Sequence, residues 1–301
     1  MTMEMTTERI SASRDLLGES ALWDSAAQVL YWVDGVGKLV RRLDPSTGAV
    51  TDWPMPDHIG SVALTSSTER LLVASRDGIY MLSLTDGGNE TIARPADFAP
   101  DARFNDGKVD RQGRFVVGTI LADPWTRVQG RKAAGKLYRL NADRTMEVLD
   151  DDIRLSNATC FSPDGSRMYF ADTPDHEVRV YDYDAASGAV SNRRRFVETR
   201  TLGSMPDGAT VDADGCLWVA LPQIAAIAQY DPEGRLLRTV PTPCPLPTCP
   251  TFGGPALDQL YVTSLHDSGN GRLVSDHPES GFVFRISGLH ARGLAEVPYA
   301  G

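Results

Sequence analysis

The stretch Arg103–Thr119, RFNDGKVDRQGRFVVGT, places a polar cluster directly before a turn and a strand. Its segments Asn105-Asp106-Gly107 and Asp110-Arg-Gln-Gly113 are typical of turns, because Asp and Asn tolerate unusual backbone angles and Gly supplies positive φ. The run Arg114–Thr119 then predicts a β-strand. In isolation the simplest interpretation is a polar loop, so the question is whether the arrangement recurs along the chain.

The same order of a polar segment followed by two β-rich runs occurs six times in the chain. Corresponding aromatic or apolar positions lie about 40–55 residues apart, the repeat length of propeller blades rather than of helical solenoids. Turns such as Ser162-Pro-Asp-Gly165 between short strands favour a closed, all-β architecture. The repeated positions are Tyr31, Leu72, Phe115, Tyr169, Trp218 and Tyr261.

These repeats predict an all-β, six-bladed β-propeller with about four strands per blade. Because the blade boundaries are turns and not linkers, we expect one domain over residues 1–301. The N-terminal segment, residues 1–17, is expected to pair with the last blade, since this closes the ring and removes an exposed strand edge.

The composition of the chain limits which partners and which cellular compartment are expected. With a net charge of −10 and an isoelectric point of about 5.0, the chain lacks the clustered cations that phosphate contacts need, so no nucleic-acid partner is expected. There is no basic and apolar leader and no apolar run of about 20 residues, so neither a secretory signal nor a membrane span is predicted. The four cysteines include no Cys-x-x-Cys pair, which favours reduced thiols and a cytoplasmic protein. We expect the protein to be a monomer or a weak homo-oligomer.

In a propeller, the start of each blade's innermost strand faces the central channel. The polar residues at these starts are therefore expected to meet there, although each of them alone could be a turn cap. Two carboxylates and one amide oxygen among them are hard donors that suit Ca²⁺, Mg²⁺ or Mn²⁺. The candidate residues are Glu19, Arg103, Asn105, Asn157 and Asp207.

These positions and their neighbours resemble the regucalcin (senescence marker protein) and gluconolactonase family of sugar lactonases. The resemblance runs from about Gly18 to the C-terminus, and several short motifs in fixed order carry it. They are Gly18-Glu-Ser, Arg103-Phe-Asn-Asp-Gly-Lys-Val-Asp110, Gly118-Thr119, Ser156-Asn157, Pro206-Asp-Gly208, Val211–Ala220, Phe252-Gly-Gly254 and Gly281–Gly288.

The resemblance implies one divalent metal ion, Ca, Zn, Mn, Mg or Fe(II), held by Glu19, Asn157 and Asp207. It also implies that Arg103 and Asn105 contact the lactone. Asp123, which falls where relatives often carry Glu, is the third substrate contact implied. Ala158 and Thr251 depart from the residues usual in the family, which we interpret as changes in pocket shape.

The expected reaction is metal-dependent hydrolysis of an aldonolactone such as glucono-1,5-lactone, which makes the chain a carboxylic-ester hydrolase of the EC 3.1.1 class. The metal would act as a Lewis acid on the carbonyl, and Asp207 is the general base that we favour. A hydroxide held by the metal is the alternative base. Arg103 is alternatively an ion-pair partner of Glu19.

Other functions and substrates stay open at this point. One alternative is a non-catalytic propeller that binds calcium or serves as a scaffold. Another is a lactonase for organophosphates or aryl esters, which would need a more apolar channel mouth than Arg103 suggests. Xylonolactone, arabinolactone, galactonolactone and 6-sulfogluconolactone are also compatible. The insert Leu121–Ala134, which includes Trp125, is expected to cover the channel mouth. An anionic substrate would need a further Arg or Lys side chain near this mouth. The cation candidates are Arg127, Arg131, Lys132 and Arg154.

Overall fold

A computed structural model describes residues 4–301, which form six four-stranded antiparallel sheets. Blade 1 contains β2 (Gly18–Asp24), β3 (Val29–Asp34), β4 (Leu39–Asp44) and β5 (Ala49–Pro54). Blade 2 contains β6 (Ile59–Leu64), β7 (Arg70–Ser75), β8 (Gly78–Ser83) and β9 (Asn89–Ala93). Blade 3 contains β10 (Ala102–Val109), β11 (Phe115–Leu121), β12 (Gly135–Leu140) and β13 (Met146–Ile153). Blade 4 contains β14 (Ser156–Phe161), β15 (Arg167–Asp172), β16 (Glu177–Tyr183) and β17 (Val190–Glu198). Blade 5 contains β18 (Ala209–Val211), β19 (Leu217–Leu221), β20 (Ala226–Tyr230) and β21 (Leu236–Pro241). Blade 6 contains β22 (Pro247–Gly253), β23 (Gln259–Ser264), β24 (Phe284–Ser287) and, as its outer strand, β1 (Thr6–Arg9).

The first strands of the blades surround a common channel. Strand β2 contacts β6 on one side and β22 on the other, and the same contact between first strands continues around the ring. The N-terminal strand β1 is the outer strand of blade 6, where Thr6 lies opposite Ser287 and Arg9 opposite Phe284. Residues 1–3 of the N-terminal segment lie outside the described residues. The all-β six-bladed propeller predicted from the repeats is confirmed.

Buried aromatic side chains pack the blades against each other. All six repeated positions of the sequence lie in the second strands of their blades and are buried. Between blades 6 and 1 the rings of Trp23 and Tyr261 stack with centroids 5.3 Å apart. Between blades 5 and 6 Trp218 meets Phe252 edge to face at 5.4 Å. Large aromatic contacts of this kind hold the blades rigidly, which fixes the position of every strand start around the channel.

Only short helices interrupt the strands of the described chain. They are the 3₁₀ turns Thr173–Asp175, Arg200–Leu202 and Pro222–Ile224. The first and third follow the second strands of blades 4 and 5, on the face that carries the channel mouth. No helix among residues 4–301 has both the length and the apolar character that a membrane crossing requires.

The chain ends in a segment that we call the C-terminal strap, residues 289–301, which crosses the face opposite the mouth. Backbone hydrogen bonds fix it at both ends: Gly293 donates to Leu257 at 2.8 Å, and Tyr299 donates to Leu64 at 2.8 Å. Between these points Glu296 reaches into the channel, where the Lys108 ammonium donates to its carboxylate at 2.5 Å. The strap therefore closes one end of the channel and leaves the other open.

Candidate active site

The open end of the channel is a cavity of about 340 Å³. Its floor is polar, and its upper wall is largely apolar, with side chains such as Ile120, Leu155, Met205 and Leu265. Concave sites of this size, with a few converging polar groups, are typical of small-molecule binding. The five residues Glu19, Arg103, Asn105, Asn157 and Asp207 all line it, although they come from blades 1, 3, 4 and 5.

Irregular strand pairing aims the polar side chains of β2, β10 and β14 into the channel. The register shifts just after Glu19 in β2, after Phe104 in β10 and after Asn157 in β14. A bulge of this kind bends the strand and redirects the side chains beside it. Ser20, which follows Glu19, and Ala158, which follows Asn157, have φ of 52° and 55°, a region that costs a non-glycine residue of the order of 1 kcal/mol.

Hydrogen bonds join the floor residues into one network. The Arg103 guanidinium donates to Asn105 Oδ1 at 2.9 Å. Asn105 Nδ2 in turn donates to the Ser156 carbonyl at 2.9 Å and to Asn157 Oδ1 at 3.3 Å. Asn157 Nδ2 donates to Thr173 Oγ1 at 2.8 Å, so the amide oxygen of Asn157 is turned away from Thr173 and is available as a ligand. Asn105 thus connects the Arg103 guanidinium to Asn157.

The carboxyl groups at the floor are electrostatically unfavourable as anions when no cation is present. Burial, with the Asp106 carboxylate as the next cause, raises the pKa of Asp207 to about 8. Burial and the charges of Asp207 and Asp106 raise the pKa of Glu19 well above its ordinary value, while Arg103 opposes this shift. Arg103 and Glu19 interact electrostatically, since each shifts the pKa of the other, but the hydrogen bonds of the guanidinium go to Asn105 and to the Phe104 carbonyl and not to Glu19.

This donor set fits a divalent cation. Two carboxylates whose pKa values are raised by burial and by mutual repulsion are the groups that a cation would stabilise as anions. Asn157 adds a neutral oxygen, and oxygen-rich sets of this kind suit hard ions. Within the described part of the chain no cluster of three or more His, Cys, Asp or Glu is arranged to hold a metal, so a site here depends on Asn157 as the third protein ligand.

Asp123 lies apart from the other candidates. Among the described residues that line the cavity, its neighbours Ala122, Pro124 and Trp125 are present and Asp123 is not. Its carboxylate instead contacts the Arg272 guanidinium at 3.3 Å. Asp123 belongs to the insert of blade 3 and Arg272 to the β23–β24 loop of blade 6, so this ion pair joins loops from opposite sides of the mouth.

Asp106 is the clearest difference from the sequence interpretation. The turn expected at Asn105-Asp106-Gly107 is a bulge inside the continuous strand β10. Asp106 is therefore not a turn residue: it lies within the strand, and its carboxylate accepts a hydrogen bond from the Thr159 amide of blade 4 at 2.7 Å. Asp110 does cap the following turn, since it accepts hydrogen bonds from the Gln112 and Arg114 amides.

The cations proposed for an anionic substrate are engaged elsewhere. Arg127 contacts Asp152 at 2.5 Å, Lys132 contacts Asp151 at 2.9 Å, and Arg154 contacts Asp172 and Asp175. None of them, nor Arg131, is among the described residues that line the cavity. The cavity wall instead carries two arginines, Arg76 and Arg272, which sequence reasoning did not identify because they lie in loops outside the recognised motifs.

The raised carboxyl pKa values predict how the stability of the metal-free protein depends on pH. Between about pH 4 and pH 8 folded Asp207 keeps a proton that the unfolded chain has released, so the free energy of unfolding falls as pH rises through that window. A bound cation removes the need for this proton. The stabilisation by Mn²⁺ or Ca²⁺, measured as the Tm difference from EDTA-treated protein, should therefore grow from pH 5 to pH 8.

The Asp207→Asn variant is the control for this prediction. Its Tm difference should be smaller and should change less with pH, since one of the two titrating groups is gone. Other carboxyls with raised pKa values, such as Asp15, titrate in the metal-free and in the metal-bound protein alike, so their effects cancel in the Tm difference. A metal-dependent stabilisation that is constant from pH 5 to pH 8 in the wild type would contradict the assignment.

Comparisons with known proteins show which family and which solved structures the chain is similar to. The family described as the SMP-30/gluconolactonase/LRE-like region matches residues 17–266. A 6-deoxy-6-sulfogluconolactonase from Pseudomonas putida is 35% identical over 99% of this chain and 100% of its own length. Regucalcin from Xenopus laevis is 36% identical over 95% of each chain. The crystal structure of a calcium-binding protein, regucalcin, from Agrobacterium tumefaciens superposes with a TM-score of 0.89 at 26% identity, covering 98% of this chain and 97% of the other.

Proposed function

The chain belongs to the SMP-30/gluconolactonase/LRE-like family, and from that membership we propose that it hydrolyses a sugar lactone to the aldonic acid. The reaction makes it a carboxylic-ester hydrolase. The proposal includes one divalent cation, held by Glu19, Asn157 and Asp207. Several relatives that match nearly the whole chain are named as lactonases, and this supports a sugar lactone as the substrate.

One observation carries the proposal: the convergence of two half-buried carboxyls, one amide and one guanidinium on the floor of a single cavity of about 340 Å³. A non-catalytic propeller would need no arginine beside a cation site. The cavity suits a monosaccharide lactone, with the carbonyl at the polar floor and the rest of the ring against the wall.

The cation supplies Lewis acidity toward the lactone carbonyl and compensates the charge that develops on its oxygen. The protein's own residues do the rest. Asp207 is the general base: a carboxylate oxygen accepts the proton from the water that attacks the carbonyl carbon. That proton then passes to the ring oxygen as the carbon–oxygen bond of the lactone breaks, which releases the open-chain acid.

Arg103 and Asn105 position the substrate. Among the described residues, the Arg103 guanidinium donates through Nη1 to Asn105 and to the Phe104 carbonyl, which leaves Nε–H and Nη2–H to donate to substrate oxygens. The same bonds hold the guanidinium plane fixed, and fixed donors lower the entropy cost of orienting a polyol. Burial lowers the Arg103 pKa to about 10, so the group stays charged at neutral pH.

The expected result is hydrolysis of glucono-1,5-lactone well above its spontaneous rate, followed by proton release. EDTA should remove the activity, and one of Ca²⁺, Zn²⁺, Mn²⁺, Mg²⁺ or Fe²⁺ should restore it. A substrate panel should include xylonolactone, arabinolactone, galactonolactone and 6-sulfogluconolactone. If no lactone is hydrolysed with any of these ions, the enzyme proposal fails, and uptake of Ca²⁺ without turnover would point to a binding protein.

A further inference from the structure

Asp106 lies between blades 3 and 4, directly after Asn105, which lines the cavity floor. It lies in the β10 bulge, directly after Asn105, and its Oδ2 accepts a hydrogen bond from the Thr159 amide at 2.7 Å. Thr159 lies in the β14 bulge, two residues after Asn157. The carboxylate of one blade therefore contacts the bulge that aims a ligand candidate of the next.

We propose that Asp106 is a positioning residue of the cation site, which acts by fixing the Asn157 bulge and by adding a third negative charge near Glu19 and Asp207. The inference rests on the proposed function, since it concerns the same cation. It assigns Asp106 to the site as a residue that acts through other residues and not as a ligand.

The positioning part follows from backbone strain. Ala158 stands between Asn157 and Thr159 with φ of 55°, where a non-glycine residue needs outside support. Asp106 supplies that support by accepting the Thr159 amide hydrogen. Asp106 is itself held in place, because a Cβ at the adjacent Gly107 would meet Val116 O at 2.9 Å and Ser61 Oγ at 3.0 Å, so the strand fits tightly at this point.

The charge part follows from the groups that face Asp106 along the channel. Glu19 and Asp207 lie on the mouth side, where they line one cavity together with Asn105, and Asp106 directly follows Asn105 in β10, so its carboxylate lies beside the volume that a cation would occupy. Lys108 and Glu296 lie toward the strap and pair with each other at 2.5 Å, so the Lys108 charge is already compensated. Lys108 also acts on Asp106 electrostatically, so the Asp106 carboxylate stands between the Lys108–Glu296 pair and the cation site.

The test measures cation affinity directly. Metal-stripped protein is titrated with Mn²⁺ and with Ca²⁺ by calorimetry, for the wild type, Asp106→Asn and Asp106→Ala. Asn keeps an acceptor for the Thr159 amide and loses only the charge, so we expect its affinity to fall about tenfold. Ala loses both functions, so its affinity should fall at least several-fold further. The matched control is Asp101→Asn, an exposed carboxylate on the wall of the same cavity, with an expected change below twofold.

Each outcome has a separate meaning. An Asp106→Asn affinity within twofold of the wild type would overturn the charge role, and equal affinities for Asn and Ala would overturn the positioning role. Normal cation affinities in the wild type without any lactone hydrolysis would refute the proposed function and leave the Asp106 inference standing. A wild type that takes up neither ion would overturn the Asp106 inference, whereas the proposed function fails only if no lactone is hydrolysed with any of the five ions. The metal-free Tm of Asp106→Asn should match the wild type, which separates a lost charge from a damaged fold.

Discussion

Replacing Asp207 with Asn is expected to lower kcat/KM for the best lactone by about 10³-fold or more, equivalent to about 4 kcal/mol of transition-state stabilisation. Asn has almost the same shape but cannot accept the proton of the attacking water, and it removes one of the two charged groups that the cation needs. The fold should survive, because burial already disfavours the charged form of Asp207. Steady-state kinetics with saturating Mn²⁺ or Ca²⁺ measure the loss.

Asp101→Asn is the matched control for this variant, because Asp101 lines the same cavity at its exposed mouth. Its kcat/KM should stay within about twofold of the wild type, as expected for a solvated charge. An Asp207→Asn enzyme that retains more than a tenth of wild-type activity would exclude Asp207 as the base and leave another proton acceptor to be found.

Replacing Lys108 with Met is expected to lower the free energy of unfolding by about 3 kcal/mol, the usual cost of leaving one partner of a buried ion pair alone. Lys108 and Glu296 form that pair at 2.5 Å, with side chains that are 18% and 11% exposed. They border a small cavity of about 20 Å³ beside the C-terminal strap, which has room for only about one water molecule. Urea unfolding followed by tryptophan fluorescence measures the change.

The double variant Lys108→Met with Glu296→Leu is the informative companion. Since it removes both charges, most of the stability should return, and the coupling energy of the cycle should be of the order of 2 kcal/mol. If each single variant costs less than about 1 kcal/mol, the strap is not held by this pair and depends on its backbone hydrogen bonds with Leu64 and Leu257.

The propeller was predictable because its signals are local. Alternating apolar residues and Gly or Asp turns define each blade without reference to the others, and six copies leave few ways to bury them all. Segment boundaries were less accurate, since Asn105-Asp106-Gly107 has turn composition yet continues β10 as a bulge. A bulge and a turn use similar backbone angles, and only the partner strand distinguishes them.

The floor of the site was predictable in part. The motifs that flank Glu19, Asn157 and Asp207 identified residues that the structure brings to one cavity. Asp123 did not follow this pattern, because its insert directs it to Arg272. Position along the chain does not give the direction in which a loop side chain points.

By itself, the sequence determined the fold class, the number of blades and the polar strand starts that line one cavity, because these depend on composition and periodicity within short windows. Only the tertiary structure decided that Asp106 binds the Thr159 amide of the next blade, that the C-terminal strap closes the far end of the channel through Glu296, and that Arg76 and Arg272 line the mouth. Each of these is a contact between segments more than 50 residues apart or a choice of side-chain direction at a bulge or loop. Such features are fixed by the packing of the blades around the channel, which no local window of the chain contains.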